Sequence, residues 1–215
     1  SVANDSSGHA NHGTLVNMDA TNWVGGQINT ALEFNGNDEY IIKSNITDFP
    51  NNAITTTFWV KTTGNADATV SYASTVNTND WLLFNSANFK IHRAGFAVET
   101  GVSFNDNQWH FIAVTWQGSD GRTEMYKDGV SVYTGTLATG TTIGTSGALV
   151  IAQEQDAVGG GFDPNQAFGG VLDEVGIYNR ILSSAEILNL YNLAPPLNQS
   201  PSVNAGSDAT IVVTD

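Results

Sequence analysis

Trp109-His110-Phe111-Ile112-Ala113-Val114-Thr115-Trp116 carries apolar side chains at both odd and even positions. Side chains alternate between the two faces of a strand, so this segment reads as a central strand covered on both sides rather than one with a wet face. Working outward, short β-patterned pieces recur at Ala31–Glu33 with Tyr40–Ser44, Ile54–Thr62, Asp67–Thr75, Trp81–Asn85, Lys90–Ala94 and Gly95–Val102. They resume at Thr123–Lys127, Val130–Thr136, Leu149–Ala152 and Gly170–Tyr178. Asp128-Gly129 stands between two of these runs and predicts a hairpin with a type I′ turn. Proline is nearly absent before Pro164, as a sheet-rich body requires. One helix is expected near Ser184–Asn192: Ser183 and Glu186 form a capping box, Ile187, Leu190 and Tyr191 share a face, and Ala194-Pro195-Pro196 ends it.

Composition bounds the function. The 215 residues suffice for one large β-sandwich or two small domains. Only 13% are charged, and 21 acidic residues against 7 basic ones give a formal charge of −14. That balance argues against nucleic acid, whose phosphates need a basic patch, and against anionic membranes. Solubility in a salty medium is the plain alternative reading of the acidity. The chain has no cysteine, which suits the cytosol or disulfide-free bacterial secretion. No apolar run approaches a membrane span. Without a signal peptide or an initiator Met, the sequence reads as an excised or processed piece of something longer.

The most informative chemistry lies in Glu154-Gln155-Asp156-Ala157-Val158-Gly159-Gly160-Gly161-Phe162-Asp163-Pro164-Asn165-Gln166. Three carboxylates and three side-chain amides share a glycine-rich loop with no Lys, Arg or His. A hard cation such as Ca²⁺, which takes six to eight oxygens, would resolve the repulsion. A solvated acidic turn is the plain alternative.

This loop, with Gly170-Val171-Leu172-Asp173-Glu174-Val175 and Tyr178-Asn179-Arg180-Ile181-Leu182-Ser183 after it, resembles the pentraxin calcium loop and its following strand. More broadly, Asp5-Ser6-Ser7-Gly8, Asn11-His12-Gly13 and Ala31-Leu32-Glu33-Phe34-Asn35-Gly36 with Tyr40 resemble the opening of bacterial laminin-G-like modules. The resemblance runs from about Asp5 to Leu193. It implies an all-β, concanavalin A-like (laminin-G/pentraxin) jelly-roll β-sandwich with one short C-terminal helix over residues 1–194. Residues 195–215 read as a linker and the truncated start of an immunoglobulin-like or PKD module.

The resemblance also implies Ca²⁺ ligands. Glu154, Asp156, Asp163 and Gln166 would offer side-chain oxygens, and Gln155 its backbone carbonyl. Asp163 is shorter than the Glu usual in the family, which puts a second ion in doubt. Ser71-Tyr72-Ala73-Ser74-Thr75-Val76-Asn77-Thr78-Asn79-Asp80-Trp81 resembles the pentraxin segment that completes the site. Asn79 matches a ligand position, Thr78 stands where an Asp is usual, and Asp80 is the expected substitute. Trp81, Phe162, Tyr72 and Asn165 are the expected ligand-contacting residues around the metal, with Trp59, Trp109 and Trp116 expected in the core.

Two further cation sites are expectations of a weaker kind. Asp5, Asp38, Asp173 and Glu174 could form a structural site; caps and turns are the alternative. His9 and His12 could ligate zinc, but no third ligand is evident. Laminarinase-type glucanases share the fold and carry Glu-x-Asp-x-x-Glu or Glu-x-Asp-x-Glu. Here Glu154 and Asp156 supply two acids, and Val158 and Gly159 stand where the third belongs, so no enzyme is expected. The favoured reading is a calcium-dependent lectin-like module of a secreted or cell-surface bacterial protein, an adhesin or a polysaccharide-degrading enzyme, with a glycan as partner and no nucleic acid or membrane insertion. The alternatives are a calcium-rigidified spacer and a glycoside hydrolase or lyase.

Overall fold

The computed structural model describes residues 2–194; the linker and second module expected at 195–215 lie outside the described residues. The strands are β1 Val2–Ala3, β2 Gly13–Val16, β3 Trp23–Gly25, β4 Thr30–Asn35, β5 Tyr40–Ile46, β6 Ala53–Thr62, β7 Ala68–Ser74, β8 Trp81–Phe84, β9 Lys90–Arg93, β10 Phe96–Glu99, β11 His110–Gln117, β12 Arg122–Lys127, β13 Val130–Thr136, β14 Gly147–Ile151 and β15 Gly169–Tyr178. They form two sheets of purely antiparallel strand pairs, ordered β1-β2-β5-β14-β7-β8-β9-β10 and β13-β12-β11-β6-β15-β4-β3. The all-β sandwich with one short helix is therefore the observed architecture.

Strand β11 sits between β6 and β12, and both its faces are buried as its apolar pattern requires. Ile112, Val114 and Trp116 point into the core between the sheets. Phe111 and Ala113 point the other way and join Trp59 and Tyr126 in a second cluster. Helix α1, Ser184–Asn192, closes that cluster with Ile187, Leu190 and Tyr191, and the Tyr191 ring stacks on Trp59 at 5.5 Å. Full burial of Ile187 contributes about 1.5–3 kcal/mol. The capping box forms as expected: Ser183 Oγ accepts from the Glu186 amide, and the Glu186 carboxylate accepts from the Ser183 amide.

The β12–β13 hairpin turns at Asp128 and Gly129 with φ of 54° and 78°, the two left-handed residues a type I′ turn demands. Strands β1, β2 and β3 were not visible as sequence pattern. They hold two to four residues each, too few for an alternation to show.

The outer face of the first sheet is covered differently. After β14 the chain leaves the sheet at Ala152, whose φ of 71° is unusual for a residue with a Cβ. It then folds back over the sheet. A Cβ at Gly159 would lie 3.5 Å from the Ile42 side chain and 3.6 Å from that of Ala148. The glycine-rich loop thus lies on the first sheet as α1 lies on the second.

Candidate functional site

Gln155 fastens the loop to the sheet. Its Nε2 donates to the carbonyls of Ser71 and Ala148, at 2.9 and 3.0 Å, and its Oε1 accepts from the Gly159 amide at 2.8 Å. With the side chain so engaged, the backbone carbonyl is what Gln155 could offer to a cation. Glu154 is drawn under the loop, only 3% exposed. Burial, helped by the charges of Asp156 and Asp163 and opposed by the Gln155 amide, raises its pKa to about 7. One of its oxygens, Oε2, is buried and has no hydrogen-bond partner.

Among the described residues four more side-chain oxygens share that condition, two of them, Asp67 Oδ2 and Ser71 Oγ, in or beside β7. Asn79 Oδ1 and Gln166 Oε1 are buried and unpartnered. Buried polar atoms are nearly always satisfied, and leaving one unsatisfied costs about 1–3 kcal/mol. Three such acceptors on the two segments singled out for cation binding fit a hard ion that takes oxygen from carboxylates and amides. Among the described residues no three His, Asp or Glu side chains form a metal cluster. A cation here would depend on the amide oxygens as well as on Glu154.

The other expected ligands are placed as follows. Asp156 is exposed on the loop. Asp163 caps the short 3-10 turn Pro164–Gln166: its Oδ1 accepts from the Asn165 amide at 2.9 Å and from Asn165 Nδ2 at 2.8 Å. Asn165 therefore shapes the loop and remains exposed. Phe162 is half-buried with its ring 4.6 Å from that of Tyr40.

Three expectations are corrected. Asp80 does not face the cation loop. It is 1% exposed and bonded inward: Oδ1 to Arg93 Nη1 at 2.5 Å, Oδ2 to Ser74 Oγ at 2.6 Å and the Gly144 amide at 2.8 Å. Trp81 is fully buried in the core, with Nε1 donating to Thr56 Oγ1 at 3.0 Å. Tyr72 is also fully buried, stacked on Phe49 at 3.6 Å, with its hydroxyl donating to the Gly144 carbonyl. The physical reason is parity: Trp81 pairs with Tyr72 across β7 and β8, so both point to the same, inner face.

Three of the four carboxylates considered for a structural ion, Asp5, Asp38 and Asp173, accept hydrogen bonds. Asp5 accepts from the amides of Ser7 and Asn11, and hydrogen bonding from the Ser7 side chain first and then from these two amides holds its pKa down at about 2. Asp38 accepts from Asn17 and Asn35. Asp173 accepts from the Ile28 amide, and Glu174 follows it at a β-bulge with φ of 49°. Turns describe Asp5 and Asp38, whereas Asp173 and Glu174 lie within β15. His12 Nδ1 accepts from the Asp5 amide, and His9 Nδ1 bonds Ser7 Oγ.

Nothing in the sequence marks Arg93. It is a fully buried guanidinium lying 4.6 Å from the centre of the Trp116 ring. Its partner Asp80 is 13 residues away in the loop between β7 and β8, a spacing no motif announces.

A family model described as the concanavalin A-like lectin/glucanases superfamily matches residues 35–188. Human neuronal pentraxin-2 is 42% identical over 107 residues, covering 48% of this chain and 25% of that protein. The chain thus spans about a quarter of the length of that relative. Two solved structures share the fold. A heptameric SAP-like pentraxin from Limulus polyphemus superposes with a TM-score of 0.62 at 21% identity, covering 71% of this chain and 75% of that one. Domain 4 of AbnA, a GH43 extracellular arabinanase from Geobacillus stearothermophilus, solved in complex with arabinotriose, superposes with a TM-score of 0.57 at 18% identity, covering 83% and 82%.

Proposed function

We propose a function for a chain that belongs to the concanavalin A-like lectin/glucanase superfamily: it is a calcium-dependent carbohydrate-binding module. The observation that carries this reading is the set of three buried, unpartnered oxygens at Glu154, Asn79 and Gln166. With Glu154 ionised all three can only accept, and a divalent cation is the partner that chemistry suits. Glu154 Oε2, Asn79 Oδ1 and Gln166 Oε1 would hold the ion, with the Gln155 carbonyl, Asp156 and Asp163 as further donors. A bound calcium supplies open coordination positions for the hydroxyls or carboxylate of a glycan. Gln155 pins the loop to the sheet, and Phe162, braced by Tyr40, offers its ring to the apolar face of a sugar.

An oligosaccharide is favoured because the arabinanase domain of the same fold is bound to one. Binding is favoured over hydrolysis because Val158 and Gly159 stand where a third acid would be needed beside Glu154 and Asp156. The module would work outside the cell, in a secreted or cell-surface bacterial protein of several domains. The test is a calorimetric calcium titration followed by a glycan array with calcium and with EDTA. Glycan binding only in calcium supports the reading. Calcium binding with no glycan bound leaves a rigidifying spacer; no calcium binding removes the reading altogether.

A further inference from the structure

Asp80 and Arg93 form an ion pair at 1% and 0% exposure, in the layer between the sheets. Such a pair is expensive to desolvate, and apolar residues of similar size often serve stability as well or better. Here the cost is compounded, because Arg93 Nε and Nη2 are buried without hydrogen-bond partners. What compensates them is Asp80 and the face of Trp116, at 4.6 Å. An arrangement this costly invites the question of what it holds in place.

The answer can be followed bond by bond. Arg93 Nη1 fixes Asp80 Oδ1. Asp80 Oδ2 accepts from Ser74 Oγ at 2.6 Å. The same Ser74 oxygen accepts from the amides of Val76 and Asn77, at 3.0 and 3.2 Å. Asn77 Oδ1 then accepts from the Asn79 amide at 2.8 Å. The path runs from the core to the backbone of Asn79, whose side-chain oxygen is buried and unpartnered. Gly144 closes the opposite side: its amide donates to Asp80 Oδ2 at 2.8 Å, and a Cβ there would stand 2.6 Å from Ser74 Oγ. Position 144 therefore has no room for a side chain.

We infer that the Asp80–Arg93 pair, acting through Ser74 and Asn77, is a positioning device that sets Asn79 for the cation. Asp80 touches no cation; it orients a ligand one residue away. The inference rests on the calcium reading above. Partners that orient metal ligands, when removed, typically weaken metal affinity about 10- to 100-fold.

The experiment compares wild type, Ser74→Ala and Asp80→Asn by calcium calorimetry and by melting in EDTA. Ser74→Ala cuts the path to the loop while leaving the ion pair and the Gly144 contact in place. It should keep most of its melting temperature in EDTA and weaken calcium binding about tenfold or more. Asp80→Asn should lose both stability and calcium affinity; if it does not fold, Ser74→Ala decides alone. Wild-type calcium affinity in Ser74→Ala overturns the inference and leaves the pair as a core element only. Failure of the wild type to bind calcium is a separate result, which overturns the calcium reading and this inference with it.

Discussion

Asp80 and Glu154 are both carboxylates withdrawn from water, at 1% and 3% exposure, and they are buried in opposite ways. Asp80 has a guanidinium on one oxygen and a hydroxyl and an amide on the other. Glu154 has like charges nearby and one oxygen with no partner at all. Both oxygens of the first carboxylate are satisfied, on the inner side of the first sheet. The second carboxylate lies on its outer side with one oxygen unsatisfied. Burial alone therefore does not mark a binding residue; a carboxylate oxygen buried among like charges without a partner is the better mark.

The sharpest way to break the comparison is on the inner side. Trp81 stands next to Asp80, and its ring fills the core. Trp81→Ala should cost about 3–5 kcal/mol in urea unfolding with EDTA present. A cost below about 1 kcal/mol would show that the inner side is not packed as described.

Glu154→Gln tests the outer side and has the opposite sign. The carboxylate's pKa is raised, so its ionised form is what folding disfavours. That penalty is absent below the unfolded value near 4.5 and complete above about 7. In EDTA at pH 8 the variant should be more stable than wild type by about 2 kcal/mol, allowing for solvent at the loop rim, and at pH 4 nearly equal to it. In calcium the order should reverse, because wild type gains from the ion and the variant does not. A variant less stable than wild type in EDTA at pH 8 would mean that Glu154 is already satisfied.

How much of this was legible beforehand follows from the range of each interaction. Local chemistry could be read: the Asp128-Gly129 turn, the Ser183–Glu186 box and the two-sided burial of β11 all rest on residues within a few positions of one another. The segment holding Glu154 and Gln166 was legible as chemistry too, since like charges on one loop are visible in one dimension. The inward turn of Asp80 was not. It depends on Arg93 in β9 and on Gly144 from a distant loop. Trp81 and Tyr72 were misplaced for a related reason: a strand's alternation says which residues share a face, while which face is inner is decided by the opposite sheet.

A third titratable group, the partly buried His110, lies between the two cases. His110 holds Asp128 through Nδ1 at 2.8 Å and Asp106 through Nε2 at 3.1 Å, fastening the β12–β13 turn to the start of β11. The Asp128 hydrogen bond raises its pKa, the bond to Asp106 adds to this, and burial and Lys127 oppose it. With the folded value above the unfolded 6.5, the stabilisation is complete below pH 6.5 and is lost as pH rises through the folded value. His110→Asn should therefore cost about 1 kcal/mol more at pH 6 than at pH 9, the exposed Asp106 limiting the gain. Equal costs at the two pH values would mean that the histidine is held by shape and not by charge.

The smallest effect on the fold, and the most specific one for the proposed function, belongs to Phe162. Its ring is half-buried against Tyr40, and it contributes no oxygen to a cation. Phe162→Ala should cost only the ring pair, about 0.5–1.5 kcal/mol, and should leave calcium affinity unchanged. Glycan affinity should fall by a similar energy, about 3- to 10-fold. That outcome separates the ring that meets the sugar from the oxygens that hold the ion, the task first assigned to Trp81. Were calcium affinity to fall together with glycan affinity, Phe162 would be shaping the loop around Glu154. The sugar-contacting surface would then have to be sought on exposed side chains elsewhere along the outer face of the first sheet.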